Sequence, residues 1–551
     1  MSRTVSDVII ETLIDLGIKR IYGLPGDSLN PLVDSIRRHD DKIEFIQVRH
    51  EEGAALAASF ESKLTGKVTV CMGTSGPGSI HLLNGLYDAK MDHASVIALT
   101  GQVETDLIGT DYFQEVKLDS LFADVSVYST TIVSPERSQS LVLRAHREAL
   151  MKKGVSHLTL PADILRLQSD EPENITEDFY PVFKFNPDIE KVCDAINQSR
   201  KPVILIGKGA RGYGQKVDEL SEKIGAPIIY ALNGKGIMDD LDRKVMGSLG
   251  LLGTRPSYDA MEKADLLIML GSSYPYIQFI PEDLKTVHVD IDPNSIGKRR
   301  RADLPVISDV GQFLDRLNVA EKPVKFYMDL QDSKKSWIDT LEKSETSDDV
   351  PMKPEVLAAT ISRHADKDAD IIVDTGNVTV WGVRNFRTNA GRRFTYSSWL
   401  GSMGIGIPGS VGASYASGKQ VIALIGDGSF AMTMMELVTI KKYNRPVKLF
   451  VFNNSKLGMI KFEEEVMGFP EYGVDLYPLN FAKIAESIGI HSIRVEKPAD
   501  LEKAVIEALS KRDVPSVVDV VVSSKEAPMP PKLKFEQIKG YVTSLLREKL
   551  D

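Results

Sequence analysis

Short runs of Val, Ile and Leu alternate along almost the whole chain with longer stretches in which apolar residues recur at helical spacing. The runs are Ile43 to Gln47, Val68 to Met72, Val96 to Thr100, Val203 to Ile206, Leu266 to Leu270, Val287 to Ile291, Ile371 to Val373, Val421 to Ile425, Leu449 to Phe452 and Val517 to Val522. Apolar runs without polar alternation are strands covered on both faces, and helix-length crossovers between them make the strands parallel. The pattern predicts an α/β chain built from doubly wound parallel-sheet domains. At the start, Val5, Ile9, Leu13 and Leu16 with Asp7, Glu11 and Asp15 between them predict an amphipathic helix, unlike the basic-then-apolar pattern of a secretory leader. No run approaches the roughly 18 apolar residues that cross a bilayer, so no transmembrane segment is expected.

Two stretches look like boundaries. Residues 168–188 are acidic and carry proline, and residues 319–353 are rich in Lys, Asp, Glu and Ser and close on Pro351 and Pro354. The chain therefore divides into roughly 1–168, 189–325 and 350–530, followed by a C-terminal helix over 531–551. A weak internal echo links the outer two: Ala58-Ser59-Phe60 leads through Gly66-Lys67 into the run at 68, and Ala413-Ser414-Tyr415 leads through Gly418-Lys419 into the run at 421.

The 551 residues suffice for about three to four domains of ordinary size. A net charge of −10 leaves no basic excess for phosphate backbones, so nucleic-acid binding is not expected as the main activity. Two cysteines, Cys71 and Cys193, make neither a disulfide framework nor a thiolate metal site and fit a reducing, cytoplasmic setting.

The strongest chemical signal is Gly426-Asp427-Gly428-Ser429 directly after a strand, followed by a second strand ending in Asn453-Asn454. Glycines and a helix start place free N–H groups where a phosphate can approach the main chain. Asp427 and the Asn454 amide then offer two hard oxygens at the ends of neighbouring strands, a seat for magnesium and a diphosphate. In the middle third, Gly207, Gly209 and Gly212 form G-x-G-x-x-G after a strand, but no acidic partner is evident in 227–235, so this motif alone is compatible with a purely structural Rossmann-like domain.

GDGS and FNNSKLG, with the helix and strand between them, resemble the thiamin-diphosphate fingerprint. Segments 21–30 (IYGLPGDSLN), 48–55 (VRHEEGAA), 73–86 (GTSGPGSIHLLNGL), 109–115 (GTDYFQE), 399–404 (WLGSMG) and 426–458 extend the likeness to the pyruvate oxidase and acetolactate synthase group. YGLPGDSLN, GTDYFQE, DIDPNSIGK and the segment VDVVVSSKEAPMPPKLKFEQIKGY resemble most the pyruvate oxidase branch of the pyruvate:quinone oxidoreductase type, also called pyruvate dehydrogenase (quinone).

This resemblance implies thiamin-diphosphate-binding folds at both ends and an FAD-binding Rossmann-like domain between them. It implies that Glu51 is the carboxylate that shares a proton with the coenzyme's aminopyrimidine, a role an apolar surrounding would suit. It places Met403 as the wedge bending the coenzyme, Gly401 and Ser402 as backbone contacts, and Asp427, Asn454 and the Lys456 carbonyl as Mg2+ ligands. Gly428, Ser429, Ser455, Lys456, Leu457, Gly458, Met459 and Ile460 would line the diphosphate, with Met459 where relatives often carry Phe. Phe113, Gln114 and Glu463 are the substrate-side candidates. Leu249, Gly250, Leu251 and Leu252, then Ser272, Ser273, Tyr274, Pro275 and Tyr276, and Asp290, with Asp309 less firmly, would contact FAD. His50, His81 and His93 are read as core or turn histidines.

The implied reaction is decarboxylation of pyruvate through a hydroxyethyl-thiamin intermediate, oxidation by FAD, release of acetate or acetyl phosphate, and transfer of electrons to a quinone or oxygen. The carboligase acetolactate synthase, with a non-redox FAD, is the alternative. The adjacent His pair of plain 2-oxo acid decarboxylases is not evident near 110–115, which disfavours aldehyde release. In the family one site draws on two subunits, which implies a homodimer or homotetramer. Phe535, Ile538, Tyr541, Val542, Leu545 and Leu546 make an apolar stripe near the C-terminus. Core packing is the plainer account of it; peripheral contact with the inner face of the cell membrane is the other.

Overall fold

The computed structural model describes residues 3–169, 184–528 and 543–544. The acidic stretch 170–183 and all of the expected 531–551 helix but Thr543 and Ser544 lie outside the described residues.

Three six-stranded sheets follow one another along the chain, and every strand pair is parallel. The first holds β1 (Arg20–Gly23), β2 (Glu44–Gln47), β3 (Thr69–Gly73), β4 (Val96–Gln102), β5 (Ser126–Thr131) and β6 (Val155–Pro161) in the order β2-β1-β3-β4-β6-β5. The second holds β7 (Pro202–Ile206), β8 (Ile228–Tyr230), β9 (Val245–Ser248), β10 (Leu266–Leu270), β11 (Thr286–Asp290) and β12 (Leu304–Ile307) in the order β12-β11-β10-β7-β8-β9. The third holds β13 (Asp370–Val373), β14 (Arg393–Thr395), β15 (Val421–Gly426), β16 (Val447–Asn453), β17 (His491–Val495) and β18 (Ser516–Val521) in the order β14-β13-β15-β16-β18-β17.

The first and third sheets thus share one topology, the tertiary counterpart of the internal echo, whereas the central sheet has the Rossmann order. Strands β3, β4, β6, β7, β10, β13 and β16 are buried along their whole length; β7 and β10 accordingly read as unbroken apolar runs, whereas β6 and β16 also bury Ser156, His157, Thr159 and Lys448.

The outer domains are joined by two helices rich in small residues, Glu51–Thr65 and Gly406–Ala416. A Cβ on Gly412 would run into the Ala57 carbonyl, and one on Gly409 would lie 2.9 Å from the Phe60 ring, so the glycines permit the close approach. One apolar core runs across this contact, from Leu56 and Phe60 to Val411 and Phe430.

The polar stretch 319–353, expected as a boundary from its charged composition and closing prolines, contains a 15-residue helix, Gln331–Glu345. Its few apolar residues, Trp337, Ile338 and Leu341, recur at helical spacing and are half-buried, a stripe too sparse to stand out among charged neighbours. Cys71 is buried, Cys193 half-buried, and both are free. Among the described residues no helix is long and apolar enough to cross a membrane.

Candidate active site

In doubly wound sheets ligands bind beyond the carboxyl ends of the strands, where the strand order reverses. In the third sheet that point lies between β13 and β15. There β15 gives way to Asp427 at the first position of helix Asp427–Thr433. Asp427 is 5% exposed and accepts the Ser455 N–H at 2.7 Å. Burial pushes its carboxyl up to about 6, against the lowering effect of backbone N–H groups of Ser455, Gly428 and its own residue. A buried carboxylate held above its usual range is poised for a cation.

Ser455, with φ 54°, turns the chain so that the Asn454 side-chain oxygen accepts the Lys456 N–H at 3.0 Å. The turn is pinned by Leu457 N–H on Val474 O (2.8 Å) and Leu476 N–H on Ser455 O (2.9 Å). The Lys456 ammonium is drawn away to Glu471 (2.8 Å) and Asp475 (2.6 Å), so only its backbone can serve the seat. A Cβ on Gly428 would lie 3.1 Å from Leu457, 3.2 Å from Leu476 and 3.5 Å from the Met403 methyl, which brings Met403 to the same loop. Ser429 is buried and its hydroxyl donates to Thr375 O at 3.3 Å.

The Gly401–Met403 loop is held by the buried Asp374, whose carboxyl accepts N–H groups of Gly404 (3.1 Å) and Gly406 (2.7 Å) and is itself pushed up to about 6 by burial. Gly401 adopts φ 67°, and the Ser402 carbonyl accepts from the Thr375 hydroxyl at 2.8 Å.

Sequence reasoning missed Asn377. It opens the helix Asn377–Arg384 at the end of β13, its buried side-chain oxygen has no partner among the described residues, and its amide nitrogen lies 2.4 Å from where a Cβ on Gly458 would be. Asn454 Nδ2 lies 3.3 Å from that same point. An orphaned oxygen beside Asp427, Asn454 and two crowded glycines fits a diphosphate with a divalent cation. The signal available was the turn Asp374-Thr375-Gly376-Asn377 after a strand, the same kind of local pattern as GDGS.

Glu51 lies in the first domain, at the start of its helix and 5% exposed. Its Oε2 lies 2.9 Å from His81 Nδ1, and its Oε1 lies 3.1 Å from where a Cβ on Gly78 would be. His81 is thus no core histidine: its side chain is 42% exposed and bonded to Glu51. His50 caps the Glu51 helix and stacks on His81 with ring centroids 4.2 Å apart. The ligand atoms of His50, Glu51 and His81 lie within 4.8 Å of one another, but stacked rings aim their lone pairs side by side and do not converge on one ion. Glu52 accepts from Asn84 at 2.6 Å, and the same amide donates to Ser402 at 2.9 Å.

Gln114, with φ 64°, packs on Gly76 near Ser75. Phe113 beside it is 75% exposed, and Glu463 and Ile460 are exposed on helix Gly458–Met467, while Met459 packs half-buried on the third-domain core. No hydrogen bond or ion pair among the described residues joins Glu51 to Met403, Asp427 or Asn454.

The central sheet reverses order between β7 and β10. There Gly209 and Gly271 approach so closely that a Cβ on Gly209 would lie 2.7 Å from the Gly271 Cα. Asp290 stands at the end of β11 and burial raises its carboxyl; Ser272 is buried and Ser273 accepts from Arg299 at 2.7 Å. Gly250, at φ 114°, lies under Tyr274 and Tyr276; Tyr274 is buried with a hydroxyl that has no partner among the described residues, Tyr276 is exposed, and Pro275 between them is half-buried. Leu249 belongs to the central core, so only its backbone is left for a ligand, whereas Leu251 is exposed and Leu252 half-buried. Asp309 caps the helix Val310–Arg316. The close backbone, the strand-end acid and the orphaned hydroxyl fit a dinucleotide.

Three family models cover the chain in order: the thiamine pyrophosphate enzyme N-terminal TPP binding domain over residues 3–121, the central domain over 189–317 and the C-terminal TPP binding domain over 374–520. The chain belongs to the thiamine pyrophosphate enzyme family. It is similar to an uncharacterised thiamine pyrophosphate-containing protein of Bacillus subtilis (strain 168), at 39% identity over 99% of this chain and 96% of that one. It is also similar to a pyruvate oxidase of Lactiplantibacillus plantarum (31%, covering 95% and 89%) and an acetolactate synthase of Mycobacterium bovis (31%, covering 95% and 88%). The three parallel-sheet domains are the thiamine pyrophosphate enzyme fold, and the chain is an enzyme of that family.

Proposed function

We propose that the protein is a thiamin-diphosphate- and FAD-dependent pyruvate oxidoreductase. It would convert pyruvate and water to acetate and CO2, or with phosphate give acetyl phosphate, and pass two electrons through FAD to a quinone or oxygen. Residues 1–168 would hold the pyrimidine end of the coenzyme, 350–530 its diphosphate and Mg2+, and 189–325 the FAD. Bound thiamin diphosphate supplies the nucleophilic carbon and the electron sink for decarboxylation. Asp427, Asn454 and the Lys456 carbonyl hold the cation, Met403 and the Gly401–Ser402 backbone support the coenzyme, and Glu51 holds a proton at the pyrimidine. Phe113, Gln114 and Glu463 would face the substrate.

The observation that carries this reading is that one helix touches both crevices. Asn377 at its start stands in the diphosphate seat, and Arg384 at its end donates to the Leu252 carbonyl (3.2 Å) and the Leu251 carbonyl (3.3 Å) of the flavin loop. The family resemblance implies a site shared between subunits, so Glu51 of one subunit and Asp427 of its neighbour would serve one coenzyme in a homodimer or homotetramer.

Relatives named acetolactate synthase favour a second reading, carboligation with a flavin that takes no net electrons. Anaerobic pyruvate separates the two: a bleached flavin with acetate formed supports oxidation, and an unbleached flavin with acetolactate accumulating overturns it. Glu51→Gln is expected to abolish turnover by either route while the coenzyme still binds.

A further inference from the structure

We propose that His81 is a positioning residue for Glu51: it takes one carboxylate oxygen so that the other is presented to the coenzyme. The inference rests on the reading of Glu51 above. A carboxylate on a flexible side chain can turn either oxygen toward a partner, and a catalytic contact needs it fixed within about 10–20°. Here the two oxygens have different surroundings. Oε2 lies 2.9 Å from His81 Nδ1, and with Glu51 ionised the imidazole must be the donor. Oε1 makes no hydrogen bond among the described residues and lies beside Gly78, where a Cβ would come within 3.1 Å of it and 2.9 Å of Thr74, so the glycine keeps a side chain off this oxygen. One oxygen is engaged and the other is left without a donor.

The imidazole is held in its turn. It stacks on the His50 ring at 4.2 Å with 28° between the planes. His50 is fixed at three points: its Nδ1 accepts the Glu52 N–H at 3.3 Å, its backbone N–H donates to Glu436 Oε1 at 3.0 Å, and its carbonyl receives the Ala54 N–H at 3.3 Å. Glu436 belongs to the third domain and also accepts the Arg49 N–H at 3.0 Å. The position of Glu51 is therefore tied through His81 and His50 to the domain that carries the diphosphate seat.

The test uses the holoenzyme without substrate and reads hydrogen–deuterium exchange at the thiazolium C2, together with the Kd for thiamin diphosphate. His81→Phe keeps a ring on His50 but removes the donor; His81→Asn restores a donor to Oε2. The expected result is exchange slowed 10–100-fold in His81→Phe, the size usual for removing the hydrogen-bond partner of a site ligand, with Kd changed less than about threefold and His81→Asn within about threefold of wild type. Wild-type exchange in coenzyme-loaded His81→Phe, with Glu51→Gln slow, would overturn the role of His81 and leave that of Glu51 standing. Wild-type exchange in both variants would overturn both. Should His81→Phe not fold, slow exchange in His81→Ala against normal exchange in His81→Asn supports the proposal, and equal rates in that pair refute it.

Discussion

Asp427 links burial to metal affinity. Its carboxyl titrates near about 6 because burial disfavours the charge, and only the ionised form can bind a cation. Mg2+-dependent binding of thiamin diphosphate should therefore weaken as pH falls through about 6, approaching tenfold per pH unit below it, as read by calorimetric titration. The sign for stability is opposite. A carboxyl raised in the folded state contributes most below its unfolded value near 4, and that contribution is lost as pH rises through about 6, so excess Mg2+ should raise the Tm more at pH 7 than at pH 5. Gly458 gives a second residue-scale prediction. Gly458→Ala would drive its methyl into the Asn377 amide, so coenzyme affinity should fall at least about tenfold while flavin content is unchanged, measured by calorimetric titration of the coenzyme and by flavin absorbance.

At the scale of elements, the eight-residue helix Asn377–Arg384 is about 12 Å long by its rise per residue. Arg384 is buried; burial lowers its pKa to about 10, which leaves it charged at neutral pH and gripping the Leu251 and Leu252 carbonyls. Removing it strands two carbonyls at about 1–3 kcal/mol each. Arg384→Ala is accordingly expected to raise the FAD Kd about tenfold or more with the Kd for thiamin diphosphate little changed; equal weakening of both would show general unfolding instead. Much of this scale was legible beforehand. The amphipathic start, the buried strands and the GDGS turn follow from local periodicity and glycine placement. The helix Gln331–Glu345 was not, because three half-buried residues among charges leave no visible stripe.

At the scale of the whole molecule, three domains meet around a buried acid pair. Lys63 donates to Asp88 (2.7 Å), approaches Asp92 (2.6 Å) and donates to the Tyr396 carbonyl (2.9 Å); Lys208 of the central domain donates to the Asp92 carbonyl (2.9 Å), and Asp92 accepts the Ser398 N–H (3.0 Å). Breaking a buried, paired charge costs about 3–5 kcal/mol. Asp92→Ala should lower the Tm and split a cooperative calorimetric transition into steps as the domains uncouple. Met432, Met435 and Val438 with Phe113, Tyr472 and Tyr477 leave apolar surface exposed on the first and third domains, which suits a second copy. Sedimentation should show a dimer or larger, and a monomer retaining full activity would end the shared-site reading.

The sequence by itself determined the α/β class, the three sheets and the loop of Asp427 and Asn454, since each is written within about 30 neighbouring residues as periodicity and glycine-bearing turns. Only the tertiary structure decided that His81 reaches Glu51, that Asn377 fills the place beside Gly458, and that Arg384 grips a loop 132 residues away. Those meetings depend on how closely helices and strand ends pack, and no local pattern encodes which buried side chain finds which partner across such separations.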